Sequence, residues 1–372
     1  MLLIERDAPT TVVGSVQIEL ADARTRYAQW PAPTVIVSDG AYGVADFPGD
    51  PPTPDTLPAW YEPHVAAWTA CALPETTLWF WGTEIGWATV HPVLARYGWL
   101  YRTCHTWDKG IAHVAGNVNS KTIRRFPVAT EVCVQYVRNV CFPTGDGQTL
   151  PMQQWLRWEW ERTGLPLSKT NEACGVKNAA TRKYFTADHL WYFPPPPLMQ
   201  KLAEYANEYG RPDGRPYFSI DGRSPVMAEQ WARMRPKWNH THGVTNMWAE
   251  PAVRGNERLK DKKAQILHGN QKPVRLLKRI IEASSDAGDV VWEPFGGLCS
   301  VAVASLLTDR RCYSAEIMAD YYCIAVERLE QQDYLNAYEA GDLFTYAKET
   351  RVMQPRLFTI REDAFRLLAL AT

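Results

Sequence analysis

The chain has 372 residues, 46% of them apolar, enough for one large core or two domains of ordinary size. Its formal net charge of -1 excludes a globally basic protein, so a polyanion would have to be met by locally concentrated positive charge. No apolar run approaches the ~20 residues of a membrane span, and the N-terminal MLLIERDAPT leaves no room for a signal segment. The eight cysteines form no CxxC pair and read as buried free thiols of a reducing compartment rather than metal ligands, so a cytoplasmic location is expected.

In chain order, the first strand candidate is Thr34–Val37, which runs into SDGAYG. Short β-branched runs cut off by Gly or Pro are how parallel strands enter functional loops. An acid at a strand end, a two-residue turn and an aromatic make a compact grip for a planar amine. The acid accepts one N–H, a turn carbonyl accepts another, and the ring stacks. A simple β-turn is the competing reading of the same residues. The proline-rich stretch Asp46–Pro58 follows, either a substrate-facing lid or a connector. Tyr61–Ala72 reads as a helix, and Thr77–Trp81, Leu100–Trp107 and Glu131–Tyr136 as strands, so an α/β layered core is expected.

From residue 141 to 262 the texture changes. A Gly-rich turn, FPTGDGQ, leads to the amphipathic segment Met152–Arg162, then to a proline run at Pro194–Pro197 and a loop-rich stretch from Arg211 to Lys263. Within it, Ser168 caps a first helix, Gly175 supplies a turn, and Asn178–Tyr184 begins a second helix carrying Arg182 and Lys183. That spacing fits a helix-turn-helix, with an ordinary helical corner as the alternative. Arg254–Lys263 is basic enough to meet phosphates, or is a solvated loop.

The α/β pattern resumes with helix Val274–Ser284, whose Leu276, Leu277, Ile280 and Ile281 share one face and whose start is set by Pro273. Asn270, Gln271 and Lys272 precede that helix N-terminus, a place suited to an anion or a carboxylate. Strand Asp289–Trp292 follows, with Glu293 at its carboxyl end and Gly296–Gly297 opening the turn into helix Val301–Leu307. Glu316, some 20 residues past those glycines, is placed to accept hydrogen bonds from a ribose diol, or else to cap helix Ala319–Leu329. The tail holds one further helix candidate, Glu362–Ala371.

Read together, NQKP at Asn270–Pro273, EPFGGLCS at Glu293–Ser300 and SAEI ending the next strand resemble the junction found in amino-methylating DNA methyltransferases. Asp39–Gly40–Ala41–Tyr42 is similar to their "DPPY" tetrapeptide, WDK at Trp107–Lys109 to a later core strand, and Thr130–Glu131 to their "hE" signature. With the catalytic loop first and the cofactor loop last, the chain resembles the beta-type arrangement. The resemblance implies a Rossmann-like α/β core that uses S-adenosylmethionine (AdoMet), with an inserted, largely helical and loop-rich recognition region. It implies Asp39, Gly40 and Tyr42 as the catalytic group. Asn270, Gln271, Lys272, Glu293, Phe295, Gly297 and Glu316 would then lie at the cofactor. The implied partner is double-stranded DNA, read with a flipped-out adenine as target, by a monomer or homodimer. The expected divisions are 1–140 and 263–340 for the two halves of the core, 141–262 for recognition and 341–372 for an extension. The pattern departs at Gly40–Ala41, where the family has prolines, at Glu293 for Asp, and at Cys299 for a second glycine. N4-cytosine methylation and a catalytically silent DNA-binding homologue are the alternatives.

Overall fold

The computed structural model describes residues 8–44, 49–114, 123–254, 257–261 and 264–331. Its first elements are β1 (Thr10–Val13) and β2 (Val16–Leu20), an antiparallel hairpin turned at Gly14, whose φ of +56° favours glycine. Next come β3 (Val35–Ser38), α1 (Leu57–Cys71), β4 (Thr77–Gly82), α2 (Glu84–Arg96), β5 (Trp99–Asp108) and β6 (Thr130–Arg138). The α1 helix starts four residues before the expected Tyr61, because Pro58 suits the first turn, where its missing N–H costs nothing. The α2 helix was not foreseen; Gly86 and Pro92 obscure its periodicity, while Thr83 caps it by accepting from the Gly86 N–H at 3.1 Å.

Two compact units divide the chain, one made of residues 1–137 and 237–372, the other of Arg138–Pro236. The second unit holds a small hairpin, β7 (Cys141–Pro143) and β8 (Thr149–Pro151), and five helices: α3 (Met152–Arg162), α4 (Lys169–Ala173), α5 (Ala179–Tyr184), α6 (Pro196–Tyr209) and α7 (Ala228–Ala232). It has its own core, in which Trp155, Leu156 and Trp160 of α3 pack with Met199, Leu202, Ala203 and Ala206 of α6, each set at helical spacing. The proline run does not break this region but starts α6. Residues 237–262, grouped from sequence with the recognition region, belong to the first unit: β9 (Met247–Ala249) pairs with β5, and Trp248 stacks on His105 at 4.6 Å.

The first unit continues with α8 (Val274–Ser284), β10 (Val290–Glu293), α9 (Ser300–Leu306), β11 (Arg311–Glu316) and α10 (Ala319–Glu330). Its nine-stranded sheet runs β1-β2-β11-β10-β3-β4-β6-β5-β9, and the neighbours from β2 to β4 are all parallel. The strand alternation sorts side chains to two faces. Val35, Val37, Trp79, Trp81 and Val291 pack with α8, α9 and α10, whereas Ile36, Leu78, Phe80 and Trp292 pack with α1 and α2. This doubly wound sheet reverses direction between β10 and β3, and a crevice opens there beyond the carboxyl ends of the strands. The helix expected at 362–371 lies outside the described residues. Among the described residues no helix is long and apolar enough to cross a membrane.

Candidate active site

Four adjacent parallel strands, β2, β11, β10 and β3, end at one cavity of about 280 Å3. Ala21–Arg24 line it after β2, Ile317 and Met318 after β11, Phe295 and Gly297 after β10, and Asp39–Tyr42 after β3. The two loops singled out from sequence, far apart in the chain, therefore share one space.

On the β10–β11 side, Gly297 is left-handed with φ +51°, and its N–H donates to Glu316 Oε2 at 2.5 Å. The other carboxylate oxygen of Glu316 accepts from the Met318 N–H at 2.7 Å. Burial pushes the Glu316 carboxyl up, and these backbone donors oppose it. Each oxygen keeps a second acceptor site for a hydroxyl in the cavity. Asn270 and Phe295 also line this space. Glu293 and Gln271 are not among its lining residues. Glu293 is buried behind it, accepting from the Val301 and Ala302 N–H groups at 2.8 and 3.1 Å to cap α9; burial pushes its carboxyl up to about 8 against the pull of those donors. Gln271 ties down the preceding loop, donating to the Glu257 carbonyl and accepting from the Leu259 N–H. The anion at the α8 N-terminus is Glu257 itself, which accepts from the Val274 N–H at 2.9 Å. Arg258 is likewise engaged by the carbonyls of Val253, His268 and Gly269.

On the β3 side, Tyr42 donates its O–H to Asp39 Oδ1 at 2.8 Å and lies 3.2 Å from Glu131 Oε2. Lys272, only 2% exposed in its side chain, is not among the residues that line the cavity. Its Nζ stands 2.8 Å from Asp39 Oδ1 and 3.3 Å from Glu131 Oε2, while Lys109 pairs with Glu131 Oε1. The same ammonium sits over the rings of Tyr42 and Trp81, at 5.1 and 5.4 Å. Tyr42 is thus mostly buried, with its hydroxyl on the two carboxylates and a cation beside its ring. Burial pushes the Asp39 carboxyl up, offset in part by Lys272. For Glu131, burial is outweighed by Lys272 and Lys109, which hold its carboxyl below the usual value.

The tetrapeptide's glycine has a packing reason. A Cβ on Gly40 would fall 2.7 Å from two ring carbons of Phe295 and 2.8 Å from the Tyr61 hydroxyl. Phe295 packs among Trp60, Tyr61 and His64, with ring centroids 5.0 to 6.1 Å apart. Tyr61 donates to the Ala41 carbonyl at 3.1 Å, so α1 braces a loop that lacks the stiffening prolines of the DPPY pattern. Cys299 sits at φ +53°, where a glycine would be unstrained; its thiol is buried against Ser314.

Sequence reasoning missed Asp22, Arg24, Trp60, His64 and His268, all of which line the cavity. The hairpin that delivers Asp22 had no motif, although its alternation, VQIEL, was a usable signal. Burial drives His64 and His268 down to about 3 and 4, so both are neutral at pH 7. The lining carboxylates Asp22, Asp39, Asp50 and Glu316 outweigh the single guanidinium of Arg24, which suits a ligand carrying positive charge.

A stretch of 102 residues is 35% identical to the DNA adenine methyltransferase YhdJ of Escherichia coli, covering 27% of this chain and 33% of that protein. Another of 86 residues is 31% identical to the type II methyltransferase M.HinfI of Haemophilus influenzae, covering 23% and 24%. The matches thus span a third or less of those relatives. The PvuII cytosine-N4-specific DNA methyltransferase superposes over 88% of this chain and 94% of its own, with 10% identity and a TM-score of 0.49. The profile of the DNA methylase family matches residues 59–327, well over half of the sequence. The chain belongs to that family, the amino-methylating, AdoMet-dependent DNA methyltransferases.

Proposed function

We propose that this protein transfers a methyl group from AdoMet to N6 of a flipped-out adenine in double-stranded DNA, with Asp39 as the group that grips the amine. The observation that carries this reading is the shared cavity, with Glu316 and Gly297 on one side and Asp39 on the other. AdoMet carries a sulfonium, and the acidic lining is compatible with it. When bound, AdoMet supplies an electrophilic methyl group. Glu316 is assigned to its ribose hydroxyls, and the absence of a side chain at Gly297 allows backbone approach. Asp39 accepts a hydrogen bond from the exocyclic amine, which turns the nitrogen lone pair outward, and receives the amine proton during or after transfer. The Gly40 carbonyl is the candidate acceptor for the second N–H, since the Ala41 carbonyl is already engaged by Tyr61.

Adenine is favoured by Asp rather than Ser at the first position and by the naming of YhdJ as an adenine methyltransferase. The second unit is assigned to target recognition, through α4, α5 and the Gly175 turn between them. Arg182 and Lys183 are exposed on α5 and available to phosphates or base edges. Incubation with labelled AdoMet and mixed-sequence DNA, followed by nucleoside mass spectrometry, tests the reading. N6-methyladenine is the expected product. N4-methylcytosine would transfer the claim to cytosine, and neither product despite AdoMet binding would leave a silent homologue.

A further inference from the structure

The buried charges beside Asp39 are more than the amine chemistry calls for. Lys272 lies in the NQKP segment before α8, a position that sequence pattern associates with the cofactor, yet it is turned toward the β3 loop. Its ammonium meets Asp39 and Glu131, Glu131 meets Lys109, and Tyr42 touches both carboxylates. Two buried or half-buried acids are thereby matched by two lysines, one just past the end of β5 and one in the loop before α8. Charges removed from water are tolerated only when paired in this way.

We infer that Lys272 is the positioning residue of the amine-binding acid: it holds Asp39 by Oδ1, supplies the countercharge a buried carboxylate needs, and leaves Oδ2 for the substrate N–H. Both contacts to Asp39, from Lys272 and from Tyr42, fall on Oδ1, and among the described residues no donor reaches Oδ2. Glu131 is the counterweight. It competes for the same ammonium, and its own second cation, Lys109, fixes it on the far side. The other titratable groups facing Asp39 are Tyr42, Tyr61 and Cys133, all held protonated by burial. Burial acts on Asp39 first, and against it the neighbouring charges that count are Lys272, which favours the carboxylate, and Glu131, which opposes it. This inference rests on the assignment of Asp39 as the amine-gripping group, but its core is a statement about the carboxylate itself.

Two substitutions with opposite signs test it. Lys272→Gln removes the countercharge, so the Asp39 carboxyl titrates roughly 1–3 pH units higher. Glu131→Gln removes the competing anion, so Asp39 titrates lower. The midpoint is read directly by carboxyl infrared difference spectra, with Asp39→Asn identifying the band, and again as the acid limb of the pH profile of methyl transfer. Lys272→Arg should return the midpoint most of the way, and AdoMet affinity should stay within a few-fold in every variant. An unmoved Asp39 band in Lys272→Gln, with AdoMet binding weakened more than tenfold, would overturn the inference and make Lys272 a cofactor contact. Should Lys272→Gln fail to fold, an unmoved or raised midpoint in Glu131→Gln overturns it equally. If the wild-type protein methylates no DNA, the proposed reaction falls, and the infrared titration still decides the role of Lys272.

Discussion

Asp39 and Gly40 show how unevenly single positions report themselves. The acid was legible because a strand end followed by a short turn and an aromatic is a local pattern. Asp39→Ala is expected to abolish methyl transfer while leaving AdoMet affinity within a few-fold; titration calorimetry beside a transfer assay checks both halves, and loss of cofactor binding would remove Asp39 from its role. The glycine was legible only as a departure from pattern. Its reason is Phe295, which closes over the β3 loop from another part of the chain. Gly40→Ala should therefore cost about 1–3 kcal/mol by overpacking, as measured by urea unfolding. A Phe295→Leu partner should recover part of that loss, because the two sites are in contact. Additive losses would separate them. Lys272 illustrates the limit of motif reading: its place in NQKP was plain, but the direction of its side chain depends on Asp39 and Glu131 across the sheet.

At the scale of elements, helices with a clean apolar stripe were read with accurate ends, as in Val274–Ser284 and Met152–Arg162. Those containing Pro or Gly were read short or not at all. The turn between α4 and α5 was found from Gly175 and Asn178, but the cap that holds it is Asn171. Its side-chain oxygen accepts from the Ala180 and Thr181 N–H groups at 3.1 and 3.2 Å, and its amide donates to Thr181 Oγ1 at 2.7 Å. Asn171→Ala should cost about 1 kcal/mol in stability, within the usual range for a lost cap. If α5 meets DNA, replacing Arg182 and Lys183 together by alanine should weaken binding and reduce the salt-dependence slope by up to about 2. A slope unchanged from wild type would take α5 out of the interface.

For the whole molecule, burial of ionisable groups couples the fold to pH. His105 is packed between Trp79 and Trp248, and burial lowers it to about 4 although its Nδ1–H donates to the Cys133 carbonyl. Between its unfolded value near 6.5 and about 4, the unfolded chain binds a proton that the folded one refuses, so stability falls as pH drops through that window, by up to ~1.4 kcal/mol per unit. His105→Gln should flatten this limb when unfolding is followed from pH 7 to 4.5, whatever it does to stability at pH 7; an equally steep limb would deny His105 its part. Local sequence was enough for the alternation of strands and helices, for the glycine loop with its terminal acid and for the acid, turn and aromatic at the end of β3, because these depend on periodicity and on backbone freedom within a few residues. Tertiary structure alone decided that the β1–β2 hairpin joins the sheet beside β11, that residues 237–262 return to the first unit, and that Lys272 serves Asp39. Those outcomes follow from strand pairing and from the need of buried charges for partners, and both are settled between residues distant in the chain.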